Sequence, residues 1–474
     1  MAIGNPLGLL LSSALGLAGD HSVNTVNEVS PSTKTLLGHP RGLLFLSFTE
    51  VWERFSFYGM QALLVLYMVD QALTPGHIET IAGMGNFRGT LEGIFGPLSV
   101  QALSSQIFGL YTGFVYLTPL IGGWIGDQVL GQRRTVMLGA VLMAAGHLLM
   151  AFETSFLIAL LLLILGSGCL KGNISAQVGA LYARDDPMRT SAFSLFNLAI
   201  NIGAFVAPLV CGTIGELYGW HYGFGLAAAG MLIGAGVYVA GQRHLPPDTL
   251  KPKGEVRPQL KSSDVPVLWA LGAVLVVSTF YSVAYAQEFN VFNLWARTYT
   301  DRHILGFEMP VTWFPSFDGL FIVGFIPVAM RYWAWQIRRG RGTTELTKIG
   351  WSGLMGAVGM LALVAASWIA AHGGKPGIGW GVFCFAAFAL GFIYNWPTTM
   401  ALCSRVSPPA LGGVIMGVVF LTSFVSNYLS GWIGSYYEKM APQDFWLMHA
   451  AIAAAGSVLM FVFYRPLNRL LNPT

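Results

Sequence analysis

Apolar residues run along almost the whole chain in stretches of about 20, each long enough to cross the ~30 Å hydrocarbon layer of a bilayer as a helix. Twelve such helices are predicted, at approximately 42–70, 101–126, 134–152, 156–180, 190–215, 219–241, 267–297, 312–337, 346–371, 379–403, 410–436 and 445–466. One substantial polar interruption, "VYVAGQRHLPPDTLKPKGEVRPQLKSSD", is rich in Pro and Lys, lacks apolar periodicity and divides the helices six and six. The expected class is therefore an all-α polytopic membrane protein of two six-helix bundles around a central cavity. Its segments are an N-terminal tail at 1–40, a bundle at 41–241, a linker at 242–266, and a second bundle with a short tail at 267–474. Equal halves suggest the two-repeat construction of secondary transporters, with a site at midplane between them. A channel or a membrane-embedded enzyme with the same helix count is the alternative at this level.

Composition excludes a soluble globular chain: 54% of residues are hydrophobic and 10% charged, and the mean hydropathy is +0.60. Charge then sets the orientation. With the N-terminus inside, outer loops hold five basic residues (Arg88, Arg297, Arg302, Lys375, Lys439), two lie mid-membrane, and inner loops and tails hold the other 19 of 26. This positive-inside pattern predicts a multi-pass protein of the inner (plasma) membrane with both termini cytoplasmic. The net charge of +4 follows from that topology and implies no nucleic-acid partner. Cys169, Cys211, Cys384 and Cys403 fall within apolar spans without metal or disulfide spacing, so they read as free thiols. No metal or cofactor is expected. "NPLGLLLSSALGLAG" near the start has no basic residue before its apolar centre, which favours a flexible or interfacial tail over a cleaved signal. HExxH, GxSxG and nucleotide-loop spacings are missing, which makes an enzyme the least favoured class.

Three charges sit where apolar residues are expected. In "FTEVWERFSFYGMQALLVLYM", Glu50, Glu53 and Arg54 are i, i+3 and i+4 of one helix, and Tyr58 and Gln61 extend the same face. A lone charge at the bilayer centre costs at least ~2.5 kcal/mol, so this stripe must face protein or a water-filled cavity and pair internally. The fourth span adds Lys171 in "GSGCLKGNISAQ". A charge-balanced clasp between helices is the structural reading of these four groups; a proton and substrate site is the functional one. Between spans two and three, "GGWIGDQVLGQRR" resembles the inner loop of the major facilitator superfamily, and "RYWAWQIRRGRGTTELTK" repeats its basic turn without the acid.

These residues carry a closer resemblance. "HPRGLLFLSFTEVWERFSFYGMQALLVLYM" is similar to the first helix of the proton-coupled oligopeptide transporter family, with its E-x-x-E-R-F signature at Glu50, Glu53, Arg54 and Phe55. "GCLKGNIS", "FSLFNLAINIGAFVAP" and "VSPPALGGVIMGVVFLTSFVSNYLSGWIG" resemble its fourth-, fifth- and eleventh-helix signatures, so the likeness spans most of residues 39–436. It implies proton-driven uptake of di- and tripeptides by alternating exposure of a central cavity. Glu50, Glu53, Arg54 and Lys171 would couple protons; Arg54 and Lys171 would hold a peptide carboxylate; and Tyr58, Tyr116 and Asn201 would line the cavity. A monomer in the lipid bilayer is expected. Carriage of another anion, such as nitrate or an amino-acid conjugate, and a peptide-binding sensor without net transport remain as alternatives.

Departures from the family pattern fall in the second half and at two places in the first. Gln61 stands where an arginine is usual, Asn197 where a tyrosine is, Ala286 where an acid precedes Gln287, and Phe392 and Trp396 where the family has Glu and Ser. Asp318 replaces an asparagine that the family uses for the peptide amine, and could restore the lost negative charge with help from Asn290 and Asn395. An acid solvated at the outer boundary is the alternative for Asp318. Glu288 lies two residues past the expected acid, some 200° round an ideal helix, so it is expected to face elsewhere unless the helix unwinds. Trp333 and Trp335 are expected as interfacial anchors.

Overall fold

The computed structural model describes residues 35–36, 38–183, 186–248, 250, 260–408 and 410–472. Most of the expected tail (1–34 and 37) and the middle of the expected linker (249 and 251–259) lie outside the described residues.

The first half comprises α1 (Arg41–Tyr67), α2 (Met84–Phe95), α3 (Val100–Gln128), α4 (Gln132–Leu149), α5 (Phe156–Ala180), α6 (Met188–Ala207), α7 (Thr213–Tyr218) and α8 (Trp220–Gly241). The second comprises α9 (Val265–Tyr285), α10 (Val291–Tyr299), α11 (Phe314–Arg338), α12 (Glu345–Ala371), α13 (Gly379–Val406), α14 (Gly412–Gly434), α15 (Pro442–Val462) and α16 (Tyr464–Leu471). A π-helical turn, Pro208–Gly212, joins α6 to α7, and a 3-10 turn, Ala286–Glu288, leads from α9 towards α10. Counting each of these pairs as one span, and setting aside the short helices α2 and α16, gives the expected twelve, six per half. Ten of the described helical spans are long and apolar enough to cross a membrane. The other two are α1, which carries Glu50, Glu53 and Arg54, and α4, whose first turn is Gln132, Arg133 and Arg134.

Two helices were not foreseen. Short α2 contains only two buried residues, Met84 and Leu91. α16 buries Leu467 and Leu471 while Arg465 and Arg469 stay exposed, an amphipathic pattern too short to register as a span. Two hairpins of two-residue strands, Thr35–Leu36 with His39–Pro40 and His303–Ile304 with Phe307–Glu308, are the β structure among the described strands.

Small residues set the helix spacing. A Cβ at Gly122 of α3 would lie 2.1 Å from the Gly168 carbonyl oxygen of α5, and one at Gly126 would lie 1.9 Å from Asn173 Oδ1. The Asn173 amide in turn donates to the Gly122 and Cys169 carbonyls, both at 2.9 Å. Asn173 is thus a packing residue inside the bundle. The turn after α3 needs glycine at Gly131, whose φ is +83°. Next to it the Arg133 N–H donates to Asp248 at 2.7 Å, tying the basic turn to the segment after α8.

The halves meet along two seams, α3 on α14 and α6 on α11. At Gly109 and Gly431 the α3–α14 backbones nearly touch: a Cβ on Gly109 would sit 2.6 Å from the Gly431 Cα. All four cysteines are buried and unpaired.

Candidate functional site

A cavity of about 820 Å³ opens between the halves. Its first-half wall includes Tyr58, Gln61, Tyr116, Asn197 and Asn201; its second-half wall includes Tyr285, Glu288, Asp318, Phe392, Asn395 and Trp396. Lining residues continue to Trp333, Thr343, Glu345 and Lys348, where α11 ends and α12 begins. The cavity therefore extends towards the end of the molecule that carries the basic turns.

The opposite end is closed by polar contacts between halves. Arg297 pairs with Asp70. The Glu216 carboxylate accepts from the Val311 and Thr312 N–H groups at 3.1 and 2.9 Å and from the Thr312 hydroxyl at 2.6 Å. The Trp313 indole donates to Thr213 at 2.7 Å. These contacts meet first-turn N–H groups that have no partner within their own helix. An ion pair does close this end, although Gln61 is not part of it.

Glu50, Glu53 and Arg54 come together as the helical spacing predicts. Arg54 Nε lies 3.0 Å from Glu50 Oε1 and also pairs with Glu53. Glu53 is wholly inaccessible, and Arg54 is 6% exposed. Lys171 Nζ rests 4.5 Å from the Phe57 ring centre and 4.6 Å from that of Tyr116, while the Arg54 guanidinium lies 5.5 Å from Phe57. Two cations thus share one ring, a contact that gains strength when water is excluded. Nζ is buried and meets no hydrogen-bond acceptor among the described residues. None of these four charged residues is itself on the cavity wall. Tyr116, which is, touches Lys171, so the cluster sits one ring away from the cavity.

In the second half Asp318 is on the wall, with Oδ2 accepting from the Tyr285 hydroxyl at 2.7 Å. Its Oδ1 is buried without a hydrogen-bond partner among the described residues. Glu288 is on the same wall, contrary to the expectation from an ideal helix. α9 ends at Tyr285, tightens into the turn Ala286–Glu288 and breaks at Asn290 (φ −95°, ψ −98°), so the 100° step no longer applies.

Asn290 is placed elsewhere. It is fully buried in the closed seam, where Oδ1 accepts from Ser105 at 2.9 Å and its amide donates to Gln287 and to the Ser430 carbonyl. Its hydrogen-bonding capacity belongs to the contact between halves, so it does not join Asp318. Asn395 reaches the wall, yet both ends of its amide are engaged, by Ser278 at 2.8 Å and Ser352 at 3.0 Å. The Asn201 amide donates to the Asn197 carbonyl at 2.8 Å. Trp333 is a wall residue with Lys348 Nζ 3.7 Å from its ring centre, so it is not a lipid-facing anchor. Trp335 is 41% exposed.

Two equal helical bundles, a cavity between them open towards one end only, and compensated charges beside it define a secondary transporter. The chain belongs to the proton-coupled oligopeptide transporter (POT) family of the major facilitator superfamily: the family model PTR2, POT family, matches residues 133–263 and 255–447. It is similar to the peptide transporter YePEPT of Yersinia enterocolitica, at 29% identity across 94% of this chain and 98% of that protein. It is also similar to a di-/tripeptide transporter of Lactococcus lactis, at 26% identity across 94% and 99%. The crystal structure of a POT peptide transporter in complex with sulfate matches with a TM-score of 0.80 at 26% identity, covering 92% of this chain and 97% of that one.

Proposed function

We propose that the protein is a symporter that couples inward proton movement to uptake of di- and tripeptides by alternating access. In this reading it works as a monomer in the inner (plasma) membrane, with the basic end and both termini cytoplasmic. The observation that carries the reading is the buried Glu50–Glu53–Arg54 cluster with Lys171 one ring away from the cavity. The similarity to proteins named peptide transporters supports the substrate class.

The chemistry follows from which groups can titrate. Arg54 keeps its proton, whereas Glu50 and Glu53 can take one up in a dry environment. Protonating either acid weakens its hold on Arg54. The released guanidinium, or Lys171, then meets the substrate carboxylate past Tyr58 and Tyr116. Across the cavity, Asp318 takes the peptide's α-ammonium on its free Oδ1, and Glu288 places a second carboxyl group on the same wall. Proton and peptide occupancy are thereby linked through the same charges.

With the basic end inside, the structure corresponds to an inward-open state. The Asp70–Arg297 and Glu216–Thr312 contacts are then the closed outer gate that must part for loading. The test is uptake into reconstituted vesicles under an imposed pH gradient with a panel of dipeptides. Saturable, gradient-dependent uptake is expected. Uptake of nitrate in place of every dipeptide would replace this reading by the anion-carrier alternative.

A further inference from the structure

We infer that the cavity contains a preformed aromatic subsite for the side chain of the peptide's amino-terminal residue, built by Phe392 and Trp396 beside Asp318. The inference rests on the peptide reading above and on Asp318 as the amine site.

Phe392 and Trp396 are i and i+4 on α13, so they project from one face, and both are partly exposed on the cavity wall. Phe392 stacks on Tyr285 with ring centres 5.7 Å apart and planes 26° apart. Tyr285 stacks in turn on Tyr281, at 5.7 Å and 24°. The hydroxyl of the middle ring is the one that donates to Asp318 at 2.7 Å. The three rings Tyr281, Tyr285 and Phe392 thus form one ladder whose middle rung holds the carboxylate.

The ladder is anchored from behind. A Cβ at Gly391 would come within 2.6 Å of the Tyr281 ring and one at Gly356 within 3.0 Å, so two glycines form the slot that holds this ring. The Tyr281 hydroxyl donates to the Phe388 carbonyl at 2.7 Å. A surface fixed in this way requires little reordering when a ligand arrives, and the cost of binding falls accordingly.

The chemistry selects the ligand. An ammonium on Asp318 Oδ1 fixes the carbon that bears the first side chain one bond away, and that side chain meets the faces of Phe392 and Trp396. An aromatic or large apolar group buries area there and stacks on rings. A methyl group offers little apolar area to bury against either ring. An acidic side chain would be brought beside Asp318, with like-charge repulsion in a partly dry cavity.

The test is competition against labelled Ala-Ala uptake in vesicles of the full-length protein. Phe-Ala should inhibit at about tenfold lower concentration than Ala-Ala, a difference of about 1.4 kcal/mol that an aromatic contact plus added burial can supply. Glu-Ala should be weaker than Ala-Ala, and Ala-Phe should gain twofold at most. In Phe392→Ala and in Trp396→Ala the Phe-Ala to Ala-Ala ratio should shrink to about two or less, whereas Phe392→Leu should retain at least half of the advantage. The ratio is read within one vesicle preparation, so differences in folding yield cancel. Equal potency of Phe-Ala and Ala-Ala in the wild type, an advantage that follows the second residue, or one that survives both alanine variants would overturn the subsite. Failure of the wild type to take up any dipeptide would instead overturn the peptide reading.

Discussion

Replacing Asp318 by Asn removes a charge at nearly constant shape, and the structure allows the consequence to be worked out. Oδ2 accepts the Tyr285 hydroxyl at 2.7 Å, and an amide oxygen can accept the same bond, so the α9–α11 contact survives. Oδ1, which has no partner among the described residues, is the atom assigned to the substrate ammonium. Losing a charge-assisted hydrogen bond there costs about 1–3 kcal/mol, or roughly 5- to 150-fold in Kd. The amide oxygen of the Asp318→Asn variant can still accept from the ammonium as a neutral partner, which puts the expectation near the lower end, about tenfold. Calorimetry on the protein in nanodiscs should give that loss for Ala-Ala and almost none for N-acetyl-Ala-Ala, which has no ammonium to lose. An equal change for both ligands, or none for either, would refute the assignment of the amine to Asp318.

Three further outcomes are expected. Glu53→Gln should abolish accumulation driven by a pH gradient yet leave peptide exchange intact; unchanged accumulation in vesicles with confirmed insertion would remove Glu53 as the coupling acid. Lys171→Ala should weaken an ordinary dipeptide more than its C-terminal amide, and equal losses would mean that the ammonium supports folding or coupling without touching the carboxylate. Gly122→Ala should destabilise the detergent-solubilised protein by about 1–3 kcal/mol or more, because the new methyl would lie 2.1 Å from a backbone oxygen that cannot step aside; a melting temperature equal to wild type would contradict the close α3–α5 contact.

How far the chain could be read in advance depended on whether a residue's neighbours were local. Glu50, Glu53 and Arg54 lie within two helical turns of each other, and their pairing follows from periodicity alone. The spans were legible because crossing a bilayer requires a long uninterrupted apolar run. α2 and α16 make no such run and left no comparable signal. An ideal-helix step turns Glu288 away from the cavity, and the exception to it, a local departure from the helix, is what Ala286–Asn290 provides; the polar run Gln287, Glu288, Asn290 is the available hint. Asn290 could not be placed from its own helix, because its partner Ser105 comes from the other half, 185 residues away. Nor did the sequence show that Arg54 and Lys171 stand behind Tyr116 and off the wall: one helix pattern gives the polar face, but only packing tells which ring lies in front of it.

The central claim is that protons passing through this bundle drive peptide uptake, and one measurement addresses it directly. Vesicles containing the protein, alkaline inside and acidic outside, are given labelled Ala-Ala with and without a protonophore. The account predicts accumulation well above the external concentration that collapses when the protonophore is added. Equilibration to the external concentration and no further, or accumulation indifferent to the protonophore, would contradict it.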